Sequence, residues 1–404
     1  MSKIQNPARV VLAYSGGLDT SVAIKWLQEK YNSEVVTVTV DVGQKENLQE
    51  IGDKAELLGV KKHYSIDAKK EFTKDYIFPA IKANALYEGK YPLATALARP
   101  LIAAKLVDIA KKEGADAISH GCTGKGNDQI RFDVTIKALA PQVKIIAPVR
   151  EWGMSRDKEI EYARKKKVPI NVKKSIYSID QNLWGISIEC GPLEDPAIEP
   201  PEDAFQWTVS PQKAPDKPLY VTINLKEGSP IGINGKNLDG VELIEFLNKI
   251  GGENGVGRVD HVEDRIVGIK SREVYECPAA QIILEAHKDL EKFVLTRHEL
   301  SFKNLVDDQW SFLTYAGLWV DPLKSDLDAF VNETQKKVTG DVKMKLYKGS
   351  AIVVGRSSKY SLYNQNLATY DVGSKFDQSL STGFIELWGL PTRAARNLME
   401  KMEK

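Results

Sequence analysis

Two adjacent glycines stand among three hydroxyls and a carboxylate in Ser15-Gly16-Gly17-Leu18-Asp19-Thr20-Ser21, the segment of this chain with the clearest chemical signature. Paired glycines let a backbone turn sharply and approach a ligand closely, and the N–H groups opening a following helix can then point at phosphate oxygens. Ser15, Thr20 and Ser21 add hydroxyl donors, so the segment predicts a pyrophosphate cradle. It is not a Walker A loop, because no lysine follows the glycines. Asp19 is the unusual member, since a carboxylate beside phosphates repels them unless it meets magnesium or a helix N-terminus.

A second group of reactive side chains runs from His120 to Phe132. Gly121, Gly124 and Gly126 give a ligand access to the backbone, and Thr123, Lys125, Asn127, Asp128 and Arg131 supply hydroxyl, ammonium, amide, carboxylate and guanidinium groups. Asp128 can hold an ammonium and Arg131 a carboxylate through its planar fork, which suits an amino acid beside a phosphate. The competing reading is a polar helix start capped by Asn127 or Asp128. Asp19 and Asp128 are the candidate catalytic carboxylates. Polar residues alternate with apolar ones from Ser178 to Cys190, as in a half-exposed strand. His261-Val262-Glu263-Asp264-Arg265 reads as a charged surface turn, and Tyr275 as core or rim.

The elements that must position these groups alternate through the first third. Val10–Tyr14 is strand-like and leads into the glycine pair, after which Val22, Ala23, Trp26 and Leu27 fall at helical spacing. Strands are expected at 34–42, 61–66, 116–120 and 144–147, and helices at 48–58 and 96–113, closed by Gly59 and Gly114. This alternation predicts an α/β fold with a doubly wound parallel sheet, whose ligands bind at the carboxyl ends of the strands. Both candidate segments lie there. The pattern changes near residue 172, giving an expected division into 1–172, 173–375 and a tail, 376–404. Seven prolines between Gly191 and Pro218 exclude a helix or central strand. Asp239 is placed to cap a helix, Lys343–Tyr347 and Ala351–Gly355 to form a hairpin, and Ala394, Ala395, Leu398 and Met399 to form an apolar stripe on a helix beginning near Pro391.

Composition narrows the functions available. With 404 residues and 42% hydrophobic content the chain is long enough for two substantial cores. Its 56 Lys and Arg against 55 Asp and Glu leave no net field to hold nucleic acid. Three scattered cysteines suggest neither disulfides nor a zinc site, which fits a cytoplasmic protein. No signal-peptide pattern opens the sequence, and no apolar run approaches the about eighteen residues of a membrane span.

Together these segments resemble the argininosuccinate synthase family of the PP-loop ATP pyrophosphatase group. The family's loop stands intact as Ala13-Tyr14-Ser15-Gly16-Gly17-Leu18-Asp19-Thr20-Ser21, and its Asp/Asn-Ile/Val-Gly-Gln segment as Asp41 to Gln44. The resemblance implies a PP-loop, adenine nucleotide α-hydrolase-like domain, a second α+β synthetase and multimerisation domain, and a C-terminal helix. It assigns the loop, Val40 and Gly121 to ATP, and Thr123 and Asp128 to L-aspartate. Asn127 is assigned to both amino acids. Tyr91, Arg131, Ser178, Ser187, Glu263 and Tyr275 go to L-citrulline, together with Thr95 and Ala96, which stand where the family reads Gly-Thr-Ser. The implied reaction is the ATP-dependent joining of citrulline and aspartate in arginine biosynthesis, with Mg2+ and a homotetramer. Another PP-loop adenylating enzyme and a nucleotide-binding sensor are the alternatives.

Overall fold

A computed structural model describes residues 6–169, 176–371 and 373–403. The chain forms two compact units, Met1–Tyr360 and Ser361–Lys404. In the first unit, β1 (Arg9–Ala13), β2 (Glu34–Asp41), β3 (Lys62–Asp67), β4 (Ala117–Ser119) and β5 (Lys144–Ile146) pair in parallel in the order β3-β2-β1-β4-β5. Val10, Val11 and Leu12 of β1 are consecutive and all buried, because helices cover both faces of a parallel sheet. Helices Leu18–Tyr31, Leu48–Leu57, Ala94–Glu113 and Asp128–Leu139 make the crossovers. Their ends follow local chemistry: Asn47 accepts the N–H groups of Gln49 and Glu50, and Gly114 closes the long helix at φ +59°.

Strand order reverses between β1 and β4, so the loops after these two strands diverge and open a crevice. The two segments singled out for their chemistry are those loops. Gly121 shows how closely they meet: a Cβ there would lie 3.0 Å from Thr20 Cγ2.

The rest of this unit contains β6 (Ser178–Asn182), β7 (Gly185–Glu189), β8 (Leu219–Lys226), β9 (Ser229–Ile233), β10 (Lys236–Asn237), β11 (Arg258–Asp264), β12 (Lys270–Glu276), β13 (Gly340–Tyr347) and β14 (Ser350–Ser357). They form two antiparallel sheets, β10-β9-β8-β13-β14 and β11-β12-β7-β6. Asp239 accepts the Val241 N–H and caps helix Gly240–Glu253, as its position in the sequence predicts. The 258–264 segment corrects the expected surface turn, since it is a full strand against β12 with Glu263 buried on its inner side.

The second unit carries helices Gln365–Ala368 and Leu380–Met402. The long helix does not start at Pro391, as a proline's preference for the first turn suggests, but runs through it. The apolar spacing of Phe384, Ile385 and Trp388 continues the amphipathic pattern upstream of the proline. Among the described residues, no helix is long and apolar enough to cross a membrane.

Candidate active site

The glycine loop divides its labour in a way the sequence does not reveal. Gly16 has φ +74°, and a Cβ there would come within 3.0 Å of Ile51 Cγ1, so this position is glycine for backbone reasons. Gly17 has φ −68°, and a Cβ would meet only Ser15 Oγ at 3.4 Å. Gly17 precedes helix Leu18–Tyr31 with no side-chain cap, which leaves the helix N-terminus to an external anion. Ser15 Oγ lies 3.2 Å from Thr20 Oγ1, at the mouth of the loop. Ser21 is instead buried behind it, 3.1 Å from the Tyr14 hydroxyl and donating to the Gly16 carbonyl. Lys54 Nζ also donates to that carbonyl, at 2.6 Å.

Asp19 opens the helix and faces two side chains from Arg156–Lys165. Arg156 Nη1 lies 2.6 Å from Asp19 Oδ1 and 3.5 Å from Glu159 Oε2. Burial and the charge of Asp19 push the Glu159 carboxyl up to about 7, and its Oε1 finds no hydrogen-bond partner.

Across the crevice the helix-cap reading of Asn127 is corrected. Its side chain makes no cap bond; Nδ2 donates to the Tyr315 hydroxyl at 2.8 Å and Oδ1 accepts the Ile266 N–H at 2.9 Å. Asp128 lies between two arginines, 2.8 Å from Arg99 Nε and 2.8 Å from Arg131 Nη1, while Arg99 also pairs with Asp180. Burial pushes the Asp128 carboxyl up, but these two guanidiniums win and hold it below the usual carboxylate range. Arg131 is buried and donates through Nε to the Tyr315 carbonyl and through Nη1 to Thr95; its Nη2 has no partner. A buried guanidinium nitrogen left unsatisfied is a vacancy for an anionic ligand.

The wall beside it is aromatic. Tyr91 stacks on Tyr275 with centroids 4.1 Å apart, and the Tyr91 hydroxyl accepts the Thr95 N–H. Glu263 accepts the hydroxyls of Tyr275 at 2.7 Å and Tyr315 at 2.5 Å. Burial raises the Glu263 carboxyl, opposed by those two bonds.

These groups line one cleft of about 700 Å³. Ala13, Tyr14, Ser15, Gly17, Leu18, Asp19 and Thr20 line its loop end, with Val40 and Gly121 nearby. The Val40 carbonyl accepts from Gln44 Nε2. Thr123, Asn127, Asp128 and Arg131 line the far side, and Tyr91, Thr95, Ser178, Ser187, Glu263 and Tyr275 complete it. Five residues given a ligand role from the sequence do not line it: the exposed Gly124 and Lys125, then Gly16, Ser21 and Ala96, the last wholly buried in the core one helical step from Thr95. Sequence reasoning missed Arg99, Asp180, Arg156, Arg265 and Tyr315. Arg99 stands one helical turn after Thr95, a residue named from the resemblance, but nothing local marks Tyr315, whose partner Arg131 is 184 residues away.

A doubly wound sheet with an uncapped glycine loop at its switch point, facing a half-buried carboxylate between guanidiniums, defines an α/β protein of the nucleotide-binding class. Residues 9–169 match the Arginosuccinate synthase N-terminal HUP domain, and residues 177–395 the Arginosuccinate synthase C-terminal domain. An argininosuccinate synthase of Pyrococcus furiosus is 59% identical over 97% of this chain and 95% of its own length. Those of Pyrobaculum aerophilum, 56% identical over 96% and 98%, and Dictyoglomus thermophilum, 58% identical over 95% and 96%, are similarly close. The chain belongs to the argininosuccinate synthase family of ATP-dependent ligases.

Proposed function

We propose that the single cleft performs both half-reactions of the family, activating L-citrulline with ATP and joining it to L-aspartate. A ureido oxygen is a poor leaving group, so it first attacks the α-phosphorus; the bond to the β-phosphate oxygen breaks and pyrophosphate departs with the electron pair. The aspartate amine then attacks the ureido carbon of the citrullyl-adenylate, losing a proton, and AMP leaves with the former ureido oxygen. Argininosuccinate remains.

Each end of the cleft has its part. Ser15, Gly17, Thr20 and the uncapped helix N-terminus hold the pyrophosphate. Val40 and Gly121 border the adenosine. Arg131 Nη2 takes the citrulline carboxylate, and Tyr91, Thr95, Ser178, Ser187, Glu263 and Tyr275 shape that pocket. Thr123, Asn127 and Asp128 receive aspartate, with Asp128 on the ammonium. No side-chain nucleophile is required, because holding two reactants in line removes much of the barrier.

Mg2+ needs only one or two carboxylates when it binds together with phosphates and water. Asp19 and the unpartnered Glu159 Oε1 supply such hard oxygen donors, although among the described residues no cluster of three or more His, Cys, Asp or Glu is arranged to hold a metal. The ion, when bound, neutralises charge developing on the phosphates. We further assign 1–172 to ATP binding, 173–375 to synthesis and multimerisation, and 376–404 to assembly of a cytoplasmic homotetramer.

The observation that carries the reading is the cleft itself: an open anion site on the glycine loop and the vacant Arg131 Nη2 share it. Citrulline labelled with heavy oxygen in its ureido group provides the test. The label is expected in the AMP phosphate and not in pyrophosphate; unlabelled AMP from verified labelled citrulline overturns the adenylate route.

A further inference from the structure

The cleft has four arginines in its lining, and three are committed to its amino-acid side. Arg131 and Arg99 hold Asp128, and Arg265 pairs with Glu189 at 3.0 Å and Glu273 at 2.6 Å. The remaining one, Arg156, touches the glycine-loop end through Asp19. Lys54 is also near the loop, but its ammonium is spent on the Gly16 carbonyl, behind the surface that lines the cleft. A triphosphate would therefore arrive beside Asp19 and Glu159 with Arg156 as the one lining arginine not committed to the amino-acid side.

The side chain is free to respond. Arg156 is 64% exposed, against 8% for Glu159, and its backbone is fixed at the first turn of helix Arg156–Lys165. A pairing so exposed contributes little stability, so phosphate oxygens can compete for the guanidinium at small cost. Its planar donor fork can keep one N–H on Asp19 while another reaches a phosphate.

On this basis we infer that Arg156 is a further phosphate-binding residue, parked on Asp19 and Glu159 until the outer phosphates of ATP, or the departing pyrophosphate, draw it onto them. The inference rests on the ATP reading of the cleft and adds a side-chain cation at the loop, beside the Mg2+ of that reading. Arg156 would recognise the β- and γ-phosphates and leave the adenosine and citrulline subsites untouched.

Isothermal titration of the full chain, Arg156→Gln and Arg156→Lys with ATP, pyrophosphate, AMP and citrulline tests it. Losing one charge-assisted phosphate contact should weaken ATP and pyrophosphate by about ten- to a hundredfold. AMP and citrulline should bind as before, and lysine should restore part of the loss. Arg156→Gln binding ATP and pyrophosphate within about twofold of wild type, or losing AMP equally, overturns the inference. Wild-type chain that binds no ATP at all overturns the ATP reading instead, so the two failures are distinct.

Discussion

Two charge clusters in the described structure are built to opposite rules, one fully buried and one at the cleft. At the junction of helices Pro278–Val294, Arg297–Tyr315 and Pro322–Gln335, Lys303 Nζ reaches the Lys82 carbonyl, both Asp307 oxygens at 2.8 Å, and Glu291 at 3.0 Å. Asn84 and Gln335 donate to Glu291, and their amide oxygens face the two ring nitrogens of His287. Every charged group here has a partner, and only the second His287 nitrogen, which a neutral ring cannot use as a donor, faces an amide oxygen without a proton between them. Around Asp128 the inventory does not close: Arg131 Nη2 is buried without a partner, and Asp128 is shared by two arginines. A satisfied network rigidifies, whereas an unsatisfied one is desolvated in advance and waits for a ligand. We therefore assign the first cluster to stability and, on the proposed function, the second to binding.

The comparison breaks most readily at Lys303. Lys303→Met leaves two carboxylates buried without their cation and should cost about 3–5 kcal/mol of unfolding free energy. Denaturant titration reads this directly; a loss below about 1 kcal/mol would falsify the assignment of that cluster to stability.

Asp128→Asn should do the reverse. Removing a charge that contacts a ligand costs about 1.5–3 kcal/mol of aspartate affinity, with far less effect on citrulline and on unfolding. Equal losses for both amino acids would show that Asp128 organises the whole pocket rather than the ammonium subsite.

The two loop glycines sharpen the same distinction at smaller scale. Gly16→Ala forces a left-handed residue and should cost about 1–2 kcal/mol of stability. Gly17→Ala should leave the melting temperature unchanged and impair ATP binding, because its Cβ would project where phosphates approach. Matching melting temperatures for the two variants would remove the structural role given to Gly16.

The most gradual expected effect is a pH dependence. Burial pushes the Asp307 carboxyl up to about 7, with Lys303 opposing and Glu291 reinforcing the rise. A carboxyl raised on folding takes up its proton in the folded state first, so its contribution favours the fold at low pH and is lost as pH rises through about 7. The slope is at most about 1.4 kcal/mol per pH unit. Stability of wild type relative to Asp307→Asn should thus grow as pH falls from 8 to 5, and a constant difference across that range would show that Asp307 ionises normally.

Most of the elements and the loop half of the site were legible in the sequence. Continuous apolar strands, Gly59 and Gly114 at helix ends, the Asp239 cap and the glycine loop all report requirements satisfied within a few residues, so periodicity and turn chemistry expose them. The resemblance adds Glu263 and Tyr275, which local pattern places on a charged surface turn and in a core or rim. That Arg131 meets Tyr315 and Arg156 faces Asp19 emerged from the packing of distant segments. The packing also showed that Lys303, by type an exposed residue, is wholly buried. It alone separated Gly16 from Gly17, and Ala96 from Thr95 beside it. The physical reason is that local patterns encode backbone conformation and average burial, whereas a charge's partner and a side chain's vacancy depend on segments far apart in sequence that packing brings together.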